Sequence, residues 1–391
     1  MPCPVRMYRI YGLLPVVLMS VSTCSRADNA YFEPRASIQG FYDDNVGLAT
    51  TNPRASTGVV VRAAAKTGRR SQVLDLGVDA EFIRRQYFND PTRNTTDSVI
   101  DANLVKATRL DRYALNARLD LDSTITSELA GSGLTRVPKR RVRWQLAPSW
   151  RRQLTPLWGV NGSASYQDVK YRDAQLTGLV DYTYLTLGVD TDYRFDERTQ
   201  LLGQLSFARY EADRTSTTSD TTGILAGVGY GISPTWSARA LVGLRKTETS
   251  QTTIAGTSVA SDNGYLADIS TTKQYQTGKL TVGLSQSTNP SGSGELLNSE
   301  HLSMDWDQKL SPRWRFSLVA HRYKNERSSG RTGTYDRQYL SVSPGIQYKL
   351  DREWSLAATY RYRYQKYEIN PDSATSNALL MTLSYRPLSK K

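Results

Sequence analysis

The sequence predicts an all-β protein, a transmembrane antiparallel up-and-down barrel of about eighteen strands closed on itself. Three observations predict it. Side chains alternate between apolar and polar with a period of two along almost the whole chain. The links between alternating segments are tight at one end and long at the other. The only continuous apolar run lies near the N-terminus, Gly12 to Cys24, so helices have no material with which to span a bilayer.

That run follows Arg6 and Arg9 and leads to Ser25-Arg26-Ala27. A positive start, a short apolar middle and an A-x-A-like end make a secretory leader. At about a dozen residues it is too short to cross a membrane. Residues 1–27 are therefore read as a signal peptide and 28–391 as one barrel domain. Both cysteines, Cys3 and Cys24, fall in the leader, which leaves the exported chain without disulfides or thiolate metal sites. Cys24 has Val21-Ser22 before it, as a lipid-attachment site would, but Thr23 stands where a smaller residue is wanted. Losing Arg6, Arg9 and Arg26, and no acid, takes the net charge from +13 to +10. Such a balance suits nucleic acid, anionic headgroups or an anionic solute. Export argues against nucleic acid.

The strand reading is clearest at WSLAATYRYRYQKYEI (Trp354 to Ile369). Trp354, Leu356, Ala358, Tyr360, Tyr362 and Tyr364 share one face, and Ser355, Ala357, Thr359, Arg361, Arg363 and Gln365 share the other. LDLGVDAEF from Leu74, YALNARLDL from Tyr113, RVRWQLAPSW from Arg141 and NALLMTLSY from Asn377 behave alike. Eighteen such segments begin near residues 36, 56, 72, 98, 112, 140, 156, 179, 199, 222, 236, 263, 275, 299, 314, 335, 354 and 377. Even-to-odd links are tight, as in FDERT (Phe195), LSPRW (Leu310) and LDREW (Leu350). Odd-to-even links are long and polar, as in ELAGSGLTRVPKR (Glu128), SQTTIAGTSVASDN (Ser250) and NERSSGRTGT (Asn325). An even strand count with loops sorted by length is the pattern of a bacterial outer-membrane barrel, with short periplasmic turns and long extracellular loops. The turns share a weak repeat, apolar–Asp/Ser–x–Arg/Thr–aromatic, which gathers Trp236, Trp314 and Trp354 at one rim. Tyrosines then meet lipid and arginines face a lumen.

Three stretches resemble a known family. GFYDDNVGL (Gly40 to Leu48) is similar to the signature ending the first strand of the β-barrel porins encoded with exopolysaccharide gene clusters, the EpsL-like proteins. SQSTNPSGSGELLNSEHLSMDWDQKLSPRW (Ser285 to Trp314) and the repeated Leu-Ser/Asp-x-Arg-Trp turns resemble it too. The resemblance implies an outer-membrane channel that exports a surface polysaccharide, with periplasmic export machinery as a partner. It brings no catalytic residues and no cofactor.

The residues alone leave three readings open: a passive exit pore for an exopolysaccharide, a general porin for small solutes or ions, and a non-channel barrel. Parity turns Arg141, Arg143, Arg239, Arg245, Arg315, Arg361 and Arg363 inward, with Asp75, Asp79 and Asp120 among the acids. Inward Tyr182, Tyr184 and Tyr210 offer faces for sugar rings. The acids concentrate in early strands and the bases in later ones, which suggests either a polarised pore or mutual salt bridges. His301 and His321, the only histidines, face inward near Ser303 and Asp305, an arrangement a membrane hydrolase would need and a polar lumen equally explains. Asp43, Asp44 and Asn45 supply too few oxygens for Ca²⁺ and fit an Asx turn better. No metal or cofactor is expected.

Overall fold

The computed structural model describes residues 29–127, 139–174, 178–253, 256–327, 336–368 and 372–388. The leader and much of the Glu128–Arg140 loop lie outside them. Eighteen strands follow one another: β1 (Asn29–Asp43), β2 (Ser56–Arg70), β3 (Leu74–Tyr87), β4 (Thr95–Ala107), β5 (Asp111–Ser123), β6 (Arg140–Gln153), β7 (Trp158–Tyr171), β8 (Tyr182–Arg194) and β9 (Thr199–Ala212). The second half comprises β10 (Thr217–Ser233), β11 (Trp236–Thr253), β12 (Gly256–Gln274), β13 (Gly278–Pro290), β14 (Leu296–Lys309), β15 (Trp314–Arg327), β16 (Arg337–Lys349), β17 (Trp354–Tyr367) and β18 (Ser373–Tyr385). Each pairs antiparallel with its sequence neighbours, and β1 pairs with β18, so the sheet closes and no edge meets lipid across the span. Both ends of the barrel chain, the start of β1 and the end of β18, lie at the short-turn rim.

Those short turns have a local cause. Asp196 accepts from the backbone N–H of Arg198 and Thr199 at 2.7 and 2.8 Å, and Asp351 from those of Glu353 and Trp354, both at 2.7 Å. Ser311 does the same for Arg313 and Trp314. The repeated Asp/Ser in the turn motif is thus an acceptor for two otherwise free donors. In the exposed Asp196 turn, the Arg198 N–H holds the carboxyl below the usual carboxylate range. Beside these turns Trp150, Trp158, Trp236, Trp314 and Trp354 stand exposed in a girdle. Trp236 and Trp158 donate their indole N–H to Thr271 and Thr191 at 2.8 and 2.7 Å, keeping one end wet and one apolar, as a membrane interface favours. Above the girdle Leu356, Tyr360, Leu379 and Met381 point outward, matching the predicted faces.

The long-link end differs from expectation in form. Three links expected as loops are mostly strand: β9–β10 and β13–β14 turn over within four and five residues, and the β11–β12 ladder runs out to the pair Thr253–Gly256. β10 and β12 consequently begin five to seven residues earlier than the hydrophobic pattern indicates. Above the bilayer a strand keeps its ladder while its outward face turns polar, so alternation fades although pairing continues. Arg209–Asp220 and Lys246–Glu248, at 2.7 and 2.6 Å, mark that boundary on the outer surface.

Candidate permeation lumen

The inner wall is built by alternation and stitched by charge. On β3 to β6, Arg141 meets Asp122 at 2.7 Å, Arg143 meets Asp120 at 2.7 Å, and Arg118 meets Asp120 at 3.0 Å. Asp120 is buried between two guanidinium groups. Arg85 pairs with Asp97 on the next strand. Longer reaches cross an intervening strand: Arg35 of β1 holds Asp79 of β3 at 2.8 Å, and Arg151 of β6 holds Asp192 of β8 at 2.8 Å. Gly159 of β7 permits the second, because a Cβ there would stand 2.7 Å from the Arg151 guanidinium. Asp75 pairs with Arg70, Arg245 with Asp262, Arg239 with Asp268 and Arg315 with Asp307, at 3.0, 2.9, 3.6 and 3.6 Å. Mutual pairing, rather than an acid half facing a basic half, therefore organises most predicted lumen charges.

Arg361 and Arg363 share one partner. Asp43, 1% exposed, accepts from both at 3.0 and 2.8 Å, from Ser376 Oγ at 2.7 Å and from the Asn45 backbone N–H at 3.0 Å. Asp44 accepts from the backbone and side chain of Asn377, and Asn45 donates to Thr375 O and Ala49 O. The Asp-Asp-Asn signature is thus an Asx turn, and more than that. It clamps the end of β1 to β17 and β18, beyond the last register pair Asp43–Ala378 of the closing seam. At the opposite end of that seam, the tail after Tyr385 returns to the β16–β17 turn through Arg386 N–H to Glu353 O at 2.9 Å.

Tyr182 and Tyr184 do point inward, but other groups cover them. The β7–β8 and β13–β14 connections meet inside the barrel, with Val180 N–H on Gly292 O at 2.9 Å. Tyr171, Leu179, Val180, Tyr182, Tyr184, Tyr210 and Leu296 form a buried apolar cluster there. Tyr210 donates to Ser291 O at 3.2 Å and Tyr184 to Thr288 O at 3.3 Å. Their faces serve packing and are not available to a sugar ring. Alternation gives the face these tyrosines take; the covering loop is not legible in the strand pattern.

Polar recesses open between the ion pairs, and three of them bear on permeation. One of about 490 Å³ opens near the short-turn rim against β1–β3 and β15–β18, where Arg35, Arg62, Arg315, Lys349, Arg352 and Arg386 outnumber Glu81, Asp351 and Glu353. Above it, one of about 310 Å³ holds Arg62, Arg85, Arg361 and Arg363 against Asp43, with Tyr87 and Tyr339. Arg62 lines both. It has no carboxylate within ion-pair distance among the described residues; its side chain donates only to Gln39, at 3.4 Å. Across the barrel, a recess of about 810 Å³ is balanced: Arg151, Arg194, Arg198 and Arg239 sit with Asp190, Asp192, Asp196, Glu197 and Asp268. Arg62 escaped the sequence reading because VVVRAAA is apolar on both faces, so its parity follows only from pairing with β1 and β3.

His301 and His321 do meet, Nε2 to Nδ1 at 3.2 Å. Ser303 directs its hydroxyl to Gly283 O, not to either imidazole, so no nucleophile–base contact forms.

The family profile described as "Outer membrane protein beta-barrel domain" matches residues 197–386. No curated protein matches the sequence. Among solved structures, the outer membrane protein OpdK from Pseudomonas aeruginosa is similar at 13% identity and TM-score 0.46, covering 92% of this chain and 99% of its own. OccAB2 from Acinetobacter baumannii is similar at 11% identity and TM-score 0.45, covering 93% and 98%. The alternating wall, the aromatic girdle and the matched profile agree on where the chain resides: it is an outer-membrane β-barrel.

Proposed function

We propose that the protein is a passive outer-membrane channel whose conducting face is the cationic wall formed by β15–β18 and β1–β3, and whose solutes are anionic and polyhydroxylated. The observation that carries this reading is Arg62, an inward guanidinium without an ion-pair partner, linking two stacked recesses in which cations exceed acids. Barrels of this strand number leave an aqueous lumen, and lumen side chains tune selectivity. Residues 1–27 act as the export leader in this reading.

Reversal potentials in planar bilayers across a potassium chloride gradient test it. Anion selectivity that falls when Arg62 and Arg352 are both changed to Gln supports the cationic wall. Cation selectivity, or no change in the double variant, rejects it. Neutralising Arg141, Arg143, Arg361 and Arg363 together is a poorer test, because it strips Asp43 and Asp122 of their ion-pair partners, leaves Asp120 with Arg118 alone and attacks the wall itself.

The finer reading is that the solute is an acidic exopolysaccharide leaving the cell, which the Gly40–Leu48 resemblance supports. Deleting the gene should then abolish surface polysaccharide while leaving uptake of small acidic sugars by other porins intact. Normal surface polysaccharide would reject the export reading and leave the small-solute channel.

A further inference from the structure

We propose that His301 and His321 form an exchangeable divalent-metal site on the lumen wall, taking Cu²⁺ and Zn²⁺ in preference to Mg²⁺ and Ca²⁺. They are the only two histidines of the chain, and the ladder sets them on a diagonal: His301 opposes Tyr323 and His321 opposes Ser303. Their facing nitrogens, His301 Nε2 and His321 Nδ1, are 3.2 Å apart. Two imidazole nitrogens bound to one ion at 2.0–2.1 Å stand roughly 2.9–3.4 Å apart for angles between square-planar and tetrahedral. The observed separation falls inside that window. Their present contact is one N–H···N hydrogen bond. Moving that hydrogen to the other ring nitrogen leaves two lone pairs directed at the same space.

The surroundings favour occupancy. His301 lies flat on Tyr323, with ring centroids 4.2 Å apart and planes 1° from parallel. Tyr323 in turn packs against the cluster of Leu48, Tyr339 and Ala374. A ring held this way loses little freedom on binding. Both imidazoles are half-buried and open on the lumen side, so water can complete the coordination. Asp305 lies on the same inward row and adds negative charge near the pair. Among the described residues no group of three or more His, Cys, Asp or Glu is gathered as a metal cage. Two protein ligands plus water make an exchangeable site rather than a structural one. Imidazole favours copper and zinc, with copper tighter by the usual order of divalent affinities, whereas Mg²⁺ and Ca²⁺ need oxygen ligands that this pair lacks.

The test uses the full-length barrel refolded without a polyhistidine tag, titrated calorimetrically with CuCl₂, ZnCl₂ and MgCl₂. The expected result is one site per chain, copper tighter than zinc, and no response to magnesium. His301→Gln and His321→Asn, which keep size and polarity, should each weaken copper binding by about tenfold or more, while Ser303→Ala should leave it unchanged. Heat-modified mobility verifies that each variant remains a barrel. Absence of copper binding to the unaltered protein, equal affinity in the histidine variants, or a matching magnesium response would each overturn the assignment. None of these outcomes depends on ion selectivity, so the site can stand or fall independently of the channel reading.

Discussion

Two walls of the same barrel solve the problem of inward charge differently. The wall around β6–β12 balances it locally, with Arg151 on Asp192, Arg239 on Asp268 and Arg245 on Asp262. The wall around the closing seam concentrates cations: one buried carboxylate, Asp43, serves both Arg361 and Arg363, and Arg62 has none. The overall charge cannot reveal this, because what a solute meets is the surplus after neighbouring strands have paired. Where pairing is complete, charge is structure; where it is incomplete, charge is available to a solute.

The sharpest way to break the comparison is at the clamp. Asp43→Ala leaves Arg363, about 5% exposed, with no counter-charge. Removing one partner of a buried pair costs roughly 3–5 kcal/mol. Loss of heat-modifiable migration, or a correspondingly lower denaturant midpoint, is expected. Asp220→Asn on the outer surface removes an equally short ion pair, yet should cost less than about 1 kcal/mol because both partners are solvated. Equal costs would show that the seam is no special place.

Next in size is the lipid face. Tyr360 points outward about midway along β17, so Tyr360→Arg should cost roughly 2–4 kcal/mol, the cost at the bilayer midplane. Thr359 points inward opposite Gly345, and Thr359→Arg should assemble normally because its charge faces the lumen. Urea titrations of folding into lipid vesicles distinguish them. Similar behaviour would reverse the assigned faces of β17.

Arg62→Gln should move the reversal potential toward zero while altering stability by less than about 0.5 kcal/mol, since no ion pair is lost. The smallest effect belongs to the balanced wall. Gly159→Ala pushes the Arg151 guanidinium off its course to Asp192, a half-exposed pair worth less than about 1 kcal/mol. Its signature should be a change in single-channel conductance without a change in selectivity. A shift in selectivity would mean that the far wall also carries solute.

The sequence alone determined the number of strands, the faces of those that alternate, the tight turns and the girdle of tryptophans. Each is local physics: a period of two, a side-chain acceptor two or three residues before the backbone donors it satisfies, and an amphipathic ring placed beside four of the short turns. It also placed His301 near His321, because one turn between antiparallel strands fixes their register. Only the tertiary structure decided that Asp43 joins the first strand to the last two, some 320 residues away in sequence. It alone decided that Tyr182 and Tyr184 are covered by the β13–β14 connection, and that most arginines of the lumen are already spent on neighbours. Alternation reports which face a side chain takes. It carries no information about which distant segment will lie over that face, and closure of the barrel and inward folding of its loops settle that.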